Sequence, residues 1–196
     1  MDEDLAGLRA PEALALEGSG VQHNIQEWLR VISPGVVFDY ERYTQTDIGR
    51  TEFNGYRPVH VGFGLSYALP IIASVLIHCS QLLAGDVETA LLMIENPEAH
   101  LHPSGQTMMG KMLAFAASWG LQTVVETHSD HLLNGVRIAI KEGKTACTDV
   151  KCYYFRASGA NSLTNVDRLS IDRYGMLDHW PDGFFDETEK SLMQLL

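Results

Sequence analysis

Leu91-Leu92-Met93-Ile94-Glu95-Asn96-Pro97-Glu98-Ala99-His100-Leu101-His102-Pro103 is an apolar run that ends in a burst of acidic and imidazole side chains. A second stretch, Thr123-Val124-Val125-Glu126-Thr127-His128-Ser129-Asp130, has the same form. Short apolar runs of this kind read as buried strands of a parallel sheet. In open α/β sheets, ligand chemistry sits just past the carboxyl ends of such strands. The pattern therefore predicts that Glu95, Glu98, His100, His102, Glu126, His128 and Asp130 converge on one edge of one sheet. Ionisable groups are costly to bury, and so dense a cluster points to a site.

Outward from these runs, the chain alternates between helix and strand. Ile25, Trp28, Leu29 and Ile32 fall at helical spacing and predict a helix over 21–32, stopped by Ser33-Pro34-Gly35. Residues 36–43 alternate as a strand, and 44–54 read as a polar loop or hairpin. Gly62-Phe63-Gly64-Leu65-Ser66 opens a helix to about residue 83, apolar nearly all round, with Pro70 early in it. Strand 90–95, a helix from Pro103 to Trp119-Gly120, strand 121–126, helix 130–142 and strand 150–156 form a β-α-β-α-β run. That run predicts an α/β fold built on a parallel sheet flanked by helices. After Gly159 the pattern turns to short strands at 162–167 and 169–173, a turn at Tyr174-Gly175, and a final helix over 186–195. Residues 1–20 read as an arm or linker. The expected organisation is an N-terminal helical or lever-like part (1–56), a core (57–157) and a small β-rich extension (158–196).

The bulk numbers exclude several classes. With 196 residues, 45% of them hydrophobic and 20% charged, the chain is globular and long enough for a core. A formal net charge of −11 disfavours broad binding to nucleic acid phosphates by this chain alone. Three cysteines without a short metal-type spacing suit a reducing cytosol. No apolar run reaches about 18 residues without polar interruption, so no membrane span is expected. The acidic start, Met1-Asp2-Glu3-Asp4, is unlike a secretory signal, and the expected location is cytoplasmic.

Three stations in order carry a resemblance: Gly62 to Ser66, the apolar strand ending in Glu95, and the apolar strand ending in Glu126-Thr127-His128. This order resembles the C-terminal half of an ABC-type ATPase head, as in RecF, SMC and OLD-like proteins. The match is closest to prokaryotic AAA-family ATPases that carry a short C-terminal domain of unknown function. It rests also on the tail Trp180-Pro181-Asp182-Gly183-Phe184-Phe185-Asp186 and covers about residues 57–196. The resemblance implies a P-loop NTPase-like fold that binds and hydrolyses ATP with Mg²⁺ at a dimer interface. The implied role is a switch in DNA transactions or defence, with an effector nuclease or DNA reached through a partner.

By resemblance, Gly62, Gly64 and Ser66 form the signature element. Glycines let the backbone approach a phosphate, and a helix start suits its charge. Glu95 takes the Walker B position and holds Mg²⁺. The next residue, where most relatives carry a second acid, is Asn96, which cannot accept a proton. Either Glu98 takes over, Asn96 only orients the water, or hydrolysis is slow. Glu98 reads equally as the first-turn acid of the following segment. His128 takes the switch-histidine position, and His100 and His102 stand where such heads face a dimer partner. Asp130 and Ser129 read as caps of the helix that starts near His131, and for Asp130 this reading is favoured over a functional one.

A phosphate-binding loop needs Gly-x₄-Gly-Lys-Ser/Thr after the first strand. Gly105-Gln106-Thr107-Met108-Met109-Gly110-Lys111-Met112 matches as far as the lysine and fails at Met112, so it reads as helix surface. Gly143-Lys144-Thr145 lacks the first glycine. The chain therefore reads as the C-terminal part of an ATPase whose Walker A lobe is missing, on another polypeptide or removed. The expected partners are ATP and either a Walker A-bearing N-terminal lobe or a second copy of the chain in a homodimer. Two other readings compete. One is a metal-dependent hydrolase using His100, His102, His128 and His131. The other is a catalytically silent interaction module on an ATPase fold.

Overall fold

A computed structural model describes residues 17–43, 45, 48–157 and 164–195. Of the arm expected over 1–20, residues 1–16 lie outside the described residues and residues 17–20 belong to the first helix. Residues 44, 46 and 47 of the expected loop or hairpin also lie outside them. Helix α1 (Glu17–Ile32) leads into a hairpin of β1 (Phe38–Tyr43) and β2 (Ile48–Phe53). Helix α2 (Phe63–Ala84), strand β3 (Leu91–Glu95), helix α3 (Pro103–Ser118), strand β4 (Gln122–Glu126) and helix α4 (Asp130–Lys141) follow. The chain ends with a second hairpin, β5 (Cys152–Ala157) and β6 (Thr164–Leu169), and helix α5 (Glu187–Leu195).

Strands β3 and β4 pair in parallel, from Leu91 opposite Gln122 to Glu95 opposite Glu126. Strand β5 does not join them. Its hydrogen-bonded partner is β6, antiparallel, from Cys152 opposite Leu169 to Ala157 opposite Thr164. The expected extension of the parallel sheet to residues 150–156 is thus corrected. A hairpin neighbour a few residues downstream satisfies the backbone of β5 locally. The second short strand expected over 169–173 does not form either, since Leu169 closes β6. The segment contributes the bridge between Ile171 and Leu177 around the turn at Gly175.

The main core forms where three helices meet one face of the parallel pair. Trp28, Leu29 and Ile32 of α1 are buried with Ala68, Ile72, Val75, Leu76 and Cys79 of α2 and with Met109, Met112 and Leu113 of α3. Helix α1, beginning well before residue 57, is part of this core. Helix α2 is long and apolar enough, by length and composition, to cross a membrane. The face with Ala68, Ile72, Val75 and Cys79 lies in the protein core, while Phe63, Ile77 and Leu83 are exposed, so this apolar helix is covered on one face only. Pro70 sits inside α2 rather than at its start, on the exposed side, where loss of one backbone bond is offset by packing on the opposite face. Burial pushes the Cys79 thiol up to about 12, so it stays protonated.

Helix α3 corrects a further expectation. Gly105, Met109, Gly110, Lys111 and Met112 are buried, not on helix surface. The two glycines bring backbones together. A methyl group on Gly105 would overlap the Ile32 carbonyl oxygen, and one on Gly110 would overlap that of Leu132. Gly135 of α4 answers from the other side, against the Thr107 carbonyl oxygen. The Lys111 ammonium is held by both carboxylate oxygens of Glu142, at 2.9 and 3.2 Å.

The opposite face of the parallel pair is open. Leu91, Met93 and Val124 are 54%, 74% and 54% exposed, while Ile94 is buried on the other side.

The α3–α4 contact generates the first prediction. On an ordinary helix Gly→Ala stabilises by about 1 kcal/mol. Here Gly135→Ala should destabilise instead, by about 1–3 kcal/mol, because the added methyl forces two backbones apart. Urea unfolding of wild type and variant measures the sign. A gain in stability would mean that the helices are not in this contact.

Candidate functional site

Both strands of the parallel pair end in an acid, and the register puts Glu95 directly beside Glu126 on the open face. Like charges opposite each other on one face are unfavourable without a compensating charge. The Glu126 carboxylate is met by the His128 ring, Nε2 to Oε1 at 3.0 Å, and accepts from Asn96 Nδ2 at 3.3 Å. Glu95 has no side-chain partner among the described residues. Its carbonyl accepts the Tyr67 hydroxyl at 2.8 Å, which ties the first turns of α2 to the end of β3.

Past the strand end, the chain turns sharply. Asn96 has φ 48° and His100 has φ 61°, both in the left-handed region that costs a non-glycine residue conformational energy. Asn96 N–H donates to the Glu126 carbonyl at 2.9 Å, so its backbone continues the strand pairing while the chain leaves the sheet. Asparagine adopts this conformation more readily than glutamate, which gives the residue at this position a backbone reason.

Glu98 is buried, 8% exposed. One carboxylate oxygen accepts the His128 backbone N–H at 2.8 Å, and the other is buried without a partner. Glu98 therefore fastens the segment after β3 to the segment after β4. A second link runs in parallel. Gln106 Nε2 donates to the Leu101 carbonyl at 2.9 Å, and Ser129 Oγ donates to Gln106 Oε1 at 2.6 Å. Ser129 Oγ also accepts the Leu132 N–H at 3.0 Å, which makes Ser129 the cap of α4 and places Asp130 in its first turn.

The glycine-serine element lies against the same region. Gly62 caps α2 and is exposed, with open space around it. At Gly64 a side chain would overlap the His100 carbonyl oxygen, so glycine is required for this approach. The Phe63 and His100 rings stack at 5.2 Å. Ser66 donates its hydroxyl to the Pro58 carbonyl at 2.9 Å, which leaves only its lone pairs free for a ligand. Pro34, Gly62, Gly64, His100 and His102 border a groove of about 400 Å³. His102 acts locally, with Nδ1 3.0 Å from Ser104 Oγ at the start of α3.

The structure thus brings Glu95, Asn96, Glu98 and His128 to one end of the parallel pair. Gly62, Gly64 and Ser66 adjoin that end through Tyr67 and His100. The four histidines of the metal-hydrolase reading do not assemble. His128 pairs with Glu126, His131 lies 3.8 Å from Asp130, His100 stacks on Phe63, and His102 faces Ser104. Among the described residues, no three His, Cys, Asp or Glu side chains are placed to hold a metal. Tyr67 and Gln106, which join the stations, belong to no sequence motif and emerge only from the fold.

The role of Glu98 generates the second prediction. Glu98→Ala should destabilise by about 1–3 kcal/mol, because it strands the His128 N–H. Glu98→Gln keeps an acceptor and removes a buried charge, so it should cost less. Thermal unfolding of the two variants checks the order. Equal stability of Glu98→Ala and wild type would show that the two segments are not fastened here.

A chain from structural work on ATP-driven dimerization and DNA-stimulated activation of SMC ATPases superposes with a TM-score of 0.52 at 15% identity. That superposition covers 98% of this chain and 96% of the other. An SmcHead bound to the C-winged helix domain of ScpA superposes with a TM-score of 0.53 at 14% identity. There the match covers 83% of this chain and 44% of the other. These likenesses establish the fold, a P-loop NTPase-like α/β arrangement of the SMC-head kind. No curated protein matches the chain. Residues 146–195 match a protein family of unknown function, DUF3696. Residues 21–133, more than half of the chain, match the AAA ATPase domain family, and the protein belongs to that family.

Proposed function

We propose that this chain is the C-terminal half of an ABC-type ATPase head, acting as an ATP-driven switch when joined to a lobe that carries Walker A. One observation carries the reading. Glu95 and Glu126 stand side by side at the ends of adjacent parallel strands, with Asn96 and His128 on Glu126 and no cation of the chain on Glu95. Two carboxylates so placed fit Mg²⁺, which binds through one or two acids and takes its remaining ligands from water and phosphate oxygens. The fit asks for no third protein ligand. The bound group supplies a divalent charge beside the phosphates of ATP. The chain's own residues orient it: Glu95 as ligand, His128 facing the same space, and Glu98 as the positioning residue that fixes the His128 backbone.

The open sheet face supports the missing lobe. Leu91, Met93 and Val124 are apolar and exposed where a sheet normally packs. Burying such side chains is worth about 1.5–3 kcal/mol each when complete. A lobe that brings the phosphate-binding loop and covers this face would gain both. The longer SmcHead chain, matched over 44% of its length, shows that this fold also occurs within a larger polypeptide. In this reading Gly62, Gly64 and Ser66 face the nucleotide of a second protomer, and the completed enzyme works in the cytoplasm. Its output reaches DNA or an effector nuclease through a partner.

Asn96 favours a second reading, an ATPase-fold module that binds nucleotide but turns it over slowly or not at all. Its amide donates to Glu126 and offers no base for the attacking water. Hydrolysis by the completed ATPase separates the two readings.

The third prediction concerns assembly. The 196-residue chain alone should show no ATP turnover, since the Gly-x₄-Gly-Lys-Ser/Thr loop is absent from its sequence. Supplied with a Walker A lobe, it should dimerise on ATP addition. Ser66→Arg should abolish that dimerisation while leaving nucleotide binding by the single protomer intact. Sedimentation with and without ATP measures both. Equal dimerisation of wild type and variant would assign Gly62 to Ser66 to packing alone.

A further inference from the structure

The chain has a second concave site, away from the strand ends. A cleft of about 560 Å³ opens where the end of α4 meets the short 3-10 turn Cys147–Asp149 and the turn before Gly175. Its lining includes Lys141, Gly143, Lys144, Thr145, Thr148 and Arg173. Three cations on one cleft are unexpected in a protein with 14 basic and 25 acidic residues. None of the three is in an ion pair with an acid among the described residues. Arg173 lies over the Tyr174 ring at 4.7 Å and donates to the Tyr174 hydroxyl at 2.7 Å, so its guanidinium is held in place without being neutralised.

The position of Lys141 and Lys144 at a helix end has a simple electrostatic cause, since cations are favoured near the C-terminus. That cause does not reach Arg173, which comes from a separate turn more than 25 residues further along the sequence. Nor does it explain Thr145. This residue lines the same cleft, is 5% exposed, and its buried hydroxyl has no hydrogen-bond partner. Buried hydroxyls are nearly always paired. Gly143, with φ 69°, turns the backbone so that Lys144 and Thr145 follow the helix end directly into the cleft.

We propose that this cleft binds a phosphate-bearing small molecule, with Lys141, Lys144 and Arg173 meeting the phosphate charge. A rotation of the Thr145 side chain toward the cleft gives its hydroxyl an acceptor on the ligand. The bidentate fork of arginine suits phosphate oxygens, and the lysines add point charge. Ile140 and Cys147 on the same wall leave room for an organic moiety beside the phosphate. The site lies at the seam between the two family matches. Lys141, Lys144 and Thr145 fall between residues 133 and 146, and Arg173 falls within 146–195. Nothing in the ATPase reading requires it, and it stands if that reading fails.

The test uses the 196-residue chain and two probes, inorganic pyrophosphate and adenosine 5′-monophosphate, titrated by calorimetry against a sodium chloride control of equal ionic strength. Saturable binding of either probe is expected, weakened at least tenfold in the double variant Lys144→Gln/Arg173→Gln. Thr145→Val should weaken it less. Preference for pyrophosphate identifies an inorganic phosphate site, and preference for the nucleotide a phosphorylated organic ligand. Glu95→Gln, at the strand-end site, should leave the affinity unchanged. Absence of binding, or equal binding by wild type and the double variant when both are folded by circular dichroism, would overturn the proposal. So would loss of binding in Glu95→Gln with retention in the double variant, since it would move the phosphate to the strand ends.

Discussion

The register of one parallel strand pair governs the arrangement of the site. Because Glu95 is opposite Glu126, every residue that follows either strand emerges at the same end. A slip of β3 by one residue would turn Ile94 outward and Glu95 inward, away from Glu126. Burial of Ile94 against the helices makes that slip costly, so the hydrophobic side of the sheet holds the polar side in place. The Glu98 carboxylate and the Gln106–Ser129 link then fasten together the two segments that leave the sheet. Such polar links hold segments in a defined geometry, and they depend on the strands beneath them already being in register.

Much of this was legible in the sequence, for physical reasons. Short apolar runs such as 91–94 and 123–125 read as strands of a sheet covered on both faces; the strands are there and end at their acids, but only the face that carries Ile94 is covered. The helices announced themselves through periodicity and through glycine or proline at their ends. Strand partnership was not legible, because pairing is a contact between distant segments. Residues 150–156 read as a further parallel strand because they continue the alternation of strand and helix, and pairing with β6 decided otherwise. Local motif spelling also misled. Gly105 to Lys111 looks like part of a phosphate loop broken at Met112, yet its glycines serve helix contact and its buried lysine pairs with the exposed Glu142. The coupling residues Tyr67 and Gln106 were invisible for a different reason: a single polar residue on a helix has no pattern of its own.

The C-terminal extension is held by its own small core. Leu133 and Ile140 of α4 pack with Leu169, Ile171, Leu177 and Phe184. Arg137, between them on the helix, donates Nε to the Gly175 carbonyl at 2.7 Å and lies over the Trp180 ring at 5.3 Å. Gly175 has φ 74°, and a side chain there would overlap the Arg137 carbonyl oxygen. The turn it makes is held by Asp172, whose Oδ1 accepts the Tyr174 and Met176 N–H groups at 2.8 Å. Asp178 accepts from Ser170 N–H, and that bond and those to His179 keep its carboxyl below the usual carboxylate range.

Helix α4 belongs to both cores at once. Leu132 and Ala139 are buried in the first, while Leu133 and Ile140 are buried in the second. A helix with two buried faces cannot loosen on one side while keeping its backbone bonds for the other. The extension and the ATPase-type region are therefore mechanically one body along this helix. Its first turn is capped by Ser129, next to His128. A displacement of the extension moves the helix as a rod, and the rod's tip sits at the strand ends. The same rigidity works in reverse, so whatever repositions His128 and Ser129 is delivered some dozen residues away to the surface that the extension shows to other molecules.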